Sequence, residues 1–284
     1  MDPLIQDISD TALWVAVFRA DESERPDAIF NDPFARRLAG ERGHQIADAL
    51  EFSKKNSWSF VARTFLFDGF IKQHIEQGFD MVINLAAGLD TRPYRLDLPS
   101  SLKWIEVDLP EIIKYKEKIL AQEKPNCKLQ RFSLDLSDKK QRVELFKHLS
   151  ETCQKALIVS EGLIGYLDEE QAATLSSDLS SRNNFQHWVL DLMSPGLLAM
   201  LQKEELGNFL KAANAPLKFA PEEGEGFFNQ FGWKNLESKS KLKTAAILKR
   251  LSDEMMNYAA ISEPEGPKGA FPWTGVCLFE NKNK

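Results

Sequence analysis

The chain has 284 residues, 43% of them hydrophobic and 27% charged, and its 36 Lys plus Arg against 42 Asp plus Glu leave a formal net charge of −6. That apolar content excludes a disordered chain. No apolar run approaches the roughly 20 residues needed to span a bilayer, and the acidic balance opposes general binding to a polyanion, so neither membrane nor nucleic acid is an expected partner.

In chain order, the opening stretch Met1 to Asp7 is acidic and lacks the basic and apolar regions of a signal peptide. A cytoplasmic, reducing location follows as the default. Residues 1–78 read as helical and amphipathic. Thr11 to Arg19 is mostly apolar, Asp32 and Pro33 suit the N-cap and first position of a helix, and Trp58 to Ile75 has helical apolar spacing. From 79 to 192 short apolar runs alternate with helical stretches. The strands expected are 81–85, 102–107, 128–132, 156–159 and 185–192, with helices over 111–122, 139–149 and 169–181 between them. Such alternation predicts a mostly parallel α/β sheet with right-handed crossovers. Residues 193–284 predict helices at 197–213, 222–231 and 244–260, and late strands at 234–237 and 276–279 that form an antiparallel edge. The lysines between 234 and 249 read as a solvated face.

Open α/β sheets bind ligands at the carboxyl ends of their strands. After the first strand comes Ala86-Ala87-Gly88-Leu89-Asp90-Thr91-Arg92, whose small residues permit a tight turn. After the second comes Glu106-Val107-Asp108-Leu109-Pro110, with Asp108 placed 20 residues beyond Gly88, the offset at which an acid meets a ribose diol. Asp135-Leu136 follows the third strand, where a short acid suits an adenine amino group. Glu161-Gly162-Leu163-Ile164-Gly165-Tyr166 follows the fourth. The set suits a ribose and an amino or cationic group. It suits pyrophosphate badly, because a dinucleotide loop needs three glycines where this chain has Ala86, Gly88 and Thr91. Cys127, Cys153 and Cys277 are odd in number and far apart, and His44, His74, His148 and His187 are scattered, so no disulfide framework, metal site or triad is expected.

The motifs after the first, second and fourth strands resemble the leucine carboxyl methyltransferase-like family, class I S-adenosylmethionine-dependent methyltransferases, and its bacterial O-methyltransferase branch. Thr11-Ala12-Leu13-Trp14-Val15-Ala16, Arg19-Ala20, Glu22 to Ala28 and Asp32-Pro33-Phe34-Ala35 resemble the opening of the bacterial members. The resemblance runs from about residue 11 to about residue 195. It implies a Rossmann-like, seven-stranded sheet in the order 3-2-1-4-5-7-6 with a helical lid. The expected division is a single domain: an N-terminal cap over 1–78, a cofactor-binding core over 79–192, and a lid insertion with the last strands over 193–284. It implies that Arg63 holds the methionine carboxylate of S-adenosylmethionine, with Arg19 as a second basic contact. Ala86, Ala87 and Gly88 face the methionine portion, Asp108 with Glu106 beside it meets the ribose, Asp135 and Leu136 lie near adenine, and Glu161 contacts the cofactor. Tyr166 lies near methyl transfer and is the candidate catalytic residue. Two departures are expected to matter. The family usually has glycine where Ala86 stands, so a methyl group there crowds the cofactor. The branch that methylates a protein C-terminus has arginine where this chain has Ser137, which argues against a protein substrate. The expected activity is O-methylation of a small-molecule carboxylate or hydroxyl, by a monomer or weak homodimer. The alternatives are a protein C-terminal carboxyl methyltransferase, a nicotinamide-dependent oxidoreductase, or a non-catalytic cofactor-binding protein.

Overall fold

A computed structural model describes residues 9–283 of the chain. The acidic opening stretch, expected not to be a signal peptide, lies outside the described residues. Helices α1 (Ser9–Ser23), α2 (Ala35–Ala49), α3 (Glu51–Lys55) and α4 (Ser57–Glu76) precede the sheet. Strands and helices then alternate: β1 (Met81–Leu85), α5 (Arg92–Arg95), β2 (Lys103–Asp108), α6 (Pro110–Ile119), β3 (Lys128–Ser133), α7 (Lys139–Thr152), β4 (Ala156–Ser160), α8 (Glu169–Ser180) and β5 (Phe185–Met193). Helices α9 (Pro195–Lys203) and α10 (Glu205–Ala212) follow, then β6 (Trp233–Ser240), α11 (Lys241–Ile247), α12 (Asp253–Ala259) and β7 (Thr274–Asn281).

The seven strands lie in the order β3-β2-β1-β4-β5-β7-β6. β1 to β5 pair in parallel, and β7 runs antiparallel to both β5 and β6. The chain therefore winds outward from β1 to β3, returns to β4 and winds the other way. The crevice at the carboxyl ends of β1 and β4 is the topological switch point. Period-two alternation along β1 divides the core. Met81, Ile83 and Leu85 join Leu145 and Phe146 of α7 and Leu175 and Leu179 of α8. Val82 lies on the other face, with Leu66, Phe67, Phe70 and Ile71 of α4. A third cluster, with Leu13, Trp14 and Val17 of α1, Leu38 and Ile46 of α2 and Leu210 of α10, gathers around Leu89 just past β1. At about 2 kcal/mol for each fully buried large side chain, these clusters dominate the stability. No helix among the described residues is long and apolar enough to cross a membrane.

Several local expectations are corrected. Asp32 does not cap a helix with Pro33 at its first position. α2 begins at Ala35 with Phe34 at its N-cap, so Asp32 and Pro33 lie ahead of the helix; Asp32 Oδ1 accepts the Phe34 N–H at 3.2 Å, and Oδ2 accepts from Arg19 at 2.9 Å and Thr91 at 2.7 Å. The helix expected over 197–213 is two helices, broken at Glu204, whose ψ of 169° is extended; Gly207 then fits the tight junction, where a β-carbon would lie 2.5 Å from the Leu201 carbonyl oxygen. The helix expected over 244–260 is also two, broken where Lys249 takes a left-handed φ of 56°. Residues 224–231 form a 3-10 helix rather than an α-helix. Lys241, expected on a solvated face, is 7% exposed.

Candidate active site

A cavity of about 490 Å³ opens at the switch point. Its floor is the carboxyl ends of β1, β2 and β4 with the loop after β3, and α1 and α4 supply the opposite wall. Ala86, Ala87 and Gly88 turn the chain directly after β1, with left-handed φ at Ala86 (52°) and Gly88 (49°). The turn aims the Gly88 N–H at Asp108 Oδ2, 2.6 Å away, while the Leu109 N–H donates to Asp108 Oδ1 at 2.7 Å. Asp108 is thus fixed by one backbone donor on each oxygen, and a lone pair remains on each for a further donor. Burial pushes its carboxyl up, against the pull of those two N–H groups. Asp135 and Leu136 extend the same end of the cavity, with the Ser137 N–H donating to Asp135 at 2.8 Å.

The other end is built on arginines. Arg63 of α4 holds Glu161 through Nε at 3.0 Å and approaches Asp191 of β5 at 3.4 Å. Its guanidinium carbon lies 5.4 Å from the centroid of the Phe60 ring. Gly162 adjoins it with a φ of 70°, and a β-carbon there would sit 3.1 Å from the Arg63 guanidinium. Only glycine meets both conditions without strain. Arg92 reaches Glu161 at 2.8 Å, Asp90 at 3.3 Å and Asp68 at 2.6 Å, and Arg95 pairs with Asp68 at 2.7 Å. Lys241 Nζ lies 3.7 Å from Asp191. The neighbouring cations hold Asp191, Asp90 and Asp68 below the usual carboxylate range despite their burial. Burial pushes Lys241 down to about 8. Tyr166, on a 3-10 turn after β4, hydrogen-bonds Thr11 of α1, and burial raises its phenol. Two lining residues carry buried polar atoms without a partner, Asn84 Oδ1 and Trp14 Nε1.

Of the residues singled out in the sequence, Arg19, Arg63, Ala86, Ala87, Gly88, Asp108, Asp135, Leu136, Glu161 and Tyr166 all line this cavity. Glu106 does not, which corrects its expected place at the ribose. It is fully buried and held by Lys116 of α6 at 2.7 Å and Arg131 of β3 at 2.8 Å. It shares a face of β2 with Asp108 but sits two residues deeper, under α6. Arg19 is tied to Asp32 and to the Leu89 carbonyl at 2.7 Å, so it joins α1 to the loop after β1. Asp191, Lys241 and Asn84 escaped the sequence reading. An acid inside the apolar run of β5 marks Asp191; nothing in the lysine-rich sequence around Lys241 marks it.

A sheet of this order, with an acid at the end of β2 and a small-residue turn after β1, defines a Rossmann-like class I methyltransferase fold. The sequence profile described as leucine carboxyl methyltransferase matches residues 12–180, and the chain belongs to that family, whose class is S-adenosylmethionine-dependent methyltransferases. Among curated relatives, a protein of Frankia alni is 28% identical over 259 residues, covering 83% of this chain and 86% of the relative. One of Parafrankia sp. is 32% identical over 187 residues, covering 61% of this chain and 59% of the relative. Both carry the name "Putative S-adenosyl-L-methionine-dependent methyltransferase". A solved structure of a DUF574 family protein from Streptomyces avermitilis superposes with a TM-score of 0.60 at 14% identity, covering 94% of this chain and 96% of that one. The structure of a "putative methyltransferase" from Thermobifida fusca also gives 0.60, at 16% identity, covering 98% of this chain and 96% of that one. These two likenesses bear on the fold.

Proposed function

We propose that the protein transfers the methyl group of S-adenosylmethionine to an oxygen, carboxylate or hydroxyl, of a small molecule. The observation that carries this reading is one continuous cavity with a fixed acid, Asp108, at one end and an arginine, Arg63, at the other. Its volume suits one nucleoside-sized ligand with limited room beside it. Asp108 accepts from a ribose diol on its remaining lone pairs. Asp135 and Leu136 border the base. Arg63 meets a carboxylate, and the unpartnered Asn84 Oδ1 accepts from an ammonium. Arg19 and Glu161 act by holding the wall around that end. The bound cofactor supplies a methyl group already activated on a sulfonium. The residues of α1, α4 and the turn at Tyr166 then need only orient an oxygen towards it and exclude water, and proximity and orientation supply roughly 7–11 kcal/mol of such a barrier. A carboxylate acceptor needs no base. Helices α1 to α4, within the cap expected over 1–78, serve as the cap in this reading. Ser137, where the protein-methylating branch has arginine, favours a small acceptor over a protein terminus.

The test is calorimetric binding of S-adenosylmethionine and S-adenosylhomocysteine, with NAD as control, to the wild type and to Asp108→Ala. Micromolar binding of the sulfur ligands that drops by at least tenfold in the variant, with no NAD binding, is the expected result, since the lost hydrogen bonds to a charged acceptor are worth about 1.5–3 kcal/mol. Equal binding by both proteins rules out Asp108 as the ribose acid.

A further inference from the structure

Lys241 begins α11, beyond the edge strand β6, and is far in sequence from every motif of the site. It is nonetheless buried, and its Nζ lies 3.7 Å from Asp191 Oδ2. The same oxygen is 3.4 Å from Arg63, while Asp191 Oδ1 accepts the Gly162 N–H at 2.7 Å. Lys241 is not a lining residue of the cavity, whereas Arg63 is. Lysine is among the residues least often buried without a specific partner. Arg63 stands between two carboxylates, Glu161 and Asp191. The Glu161 charge is shared with Arg92 at 2.8 Å, and the Asp191 charge with Lys241. The connected set comprises Lys241, Arg63, Arg92 and Arg95 against Asp191, Glu161, Asp68 and Asp90. Its four cations and four carboxylates balance.

We infer that Lys241 is a positioning residue for the amino-acid end of the cofactor: by neutralising Asp191 it leaves Arg63 free to take the carboxylate of that end. The inference rests on the proposed role of Arg63. A zwitterionic group enters a balanced set without net repulsion. With Lys241 neutral or absent, the set holds one uncompensated negative charge beside the arginine that must attract a carboxylate. In a buried site that repulsion is poorly screened. The groups around Lys241 are Asp191 from β5, Arg63 from α4, Glu161 from the loop after β4 and Cys277 from β7. Asp191 is held below its ordinary value, Arg63 above it, and the Cys277 thiol is pushed up. Lys241, at about 8, is the cation among them that discharges in mildly alkaline solution.

The experiment compares two probes, S-adenosylhomocysteine and 5′-methylthioadenosine, which keeps the nucleoside and lacks the amino-acid end. Binding is measured for the wild type, Lys241→Met and Lys241→Arg at about pH 7 and about pH 9. Lys241→Met is expected to weaken S-adenosylhomocysteine about tenfold at the lower pH and to leave 5′-methylthioadenosine unchanged. Lys241→Arg is expected to retain affinity, and to lose less of it than the wild type at the higher pH. The ligand amine titrates alike in every protein, so it cancels in that comparison. Equal loss of both probes overturns the inference and makes Lys241 a structural lysine. Undiminished S-adenosylhomocysteine binding by Lys241→Met overturns it too. If Lys241→Met does not fold, an identical pH dependence of Lys241→Arg and wild type overturns it. A wild type that binds neither probe removes the cofactor reading itself, and this inference with it.

Discussion

Ala86 holds a left-handed backbone that costs an L-residue roughly 1–2 kcal/mol, a conformation glycine adopts without that cost. The Ala86→Gly change removes that strain but adds about 0.4–1 kcal/mol of unfolded-state entropy. A net stabilisation of about 0.5–1 kcal/mol is therefore expected, a rise of about 2 °C in Tm for a chain of this size. Because Ala86 lines the cavity, cofactor affinity should not fall. A calorimetric scan showing a lower Tm for the variant would contradict the strain argument. The same scale shows why the site was only partly legible. Asp108 was marked by its offset from Gly88, and the turn by its small residues. Glu106 misled because period two gives it the face of Asp108, and only the packing of α6 shows that Lys116 lies above it. Glu161 stood out by its place after the fourth strand and Arg63 through the resemblance, whereas Lys241 looked like any other lysine because its burial is a tertiary property.

At the scale of elements, the strands from β1 to β5 were legible because each is a short apolar run bounded by polar turns. The C-terminal helices were not. Apolar spacing continues across 244–260, yet Lys249 breaks it, and Arg250 just after the break makes a bidentate pair with Glu22 of α1 at 2.8 and 2.9 Å. It also reaches Asp27 at 3.0 Å. No local pattern announces a contact across 228 residues. The pair joins α1, one wall of the cavity, to the junction of α11 and α12. Glu22 is 3% exposed, so Arg250→Ala takes the bidentate partner from a buried carboxylate and leaves it the Ile29 N–H at 2.8 Å and Arg25 at 3.9 Å. A loss of about 3 kcal/mol in urea denaturation is expected. A loss below about 0.5 kcal/mol would class the pair with weak surface bridges.

Across the whole molecule the three thiols report on the integrity of the fold. Cys127, Cys153 and Cys277 are all buried and free. Burial pushes Cys153 up to about 11 and Cys127 up to about 12, and raises Cys277 further. Unfolded thiols release their protons near about 8.5, so above that pH the unfolded chain binds fewer protons than the folded one. Stability from these groups is present below about pH 8.5 and is lost as pH rises through the folded values. The partly buried Tyr94, Tyr115 and Tyr166 act in the same direction. Lys241 acts in the opposite one, as a single group. Tm should therefore fall steadily between about pH 9 and about pH 11, and iodoacetamide should leave the native thiols unmodified at about pH 8 while labelling all three in denaturant. A flat Tm over that range, or labelling of the native protein, would show that the thiols are open to water.

The tie between Glu22 and Arg250 also sets an order of events during synthesis. The ribosome releases α1 first, and at about 5–20 residues per second the partner of Glu22 follows on the order of 10 to 50 s later. β5 likewise waits for β7 to cover its free edge. In the interval the nascent chain holds the turn after β1 and the acid at the end of β2 but lacks the clamp on α1, so the floor of the cavity precedes the wall that encloses it.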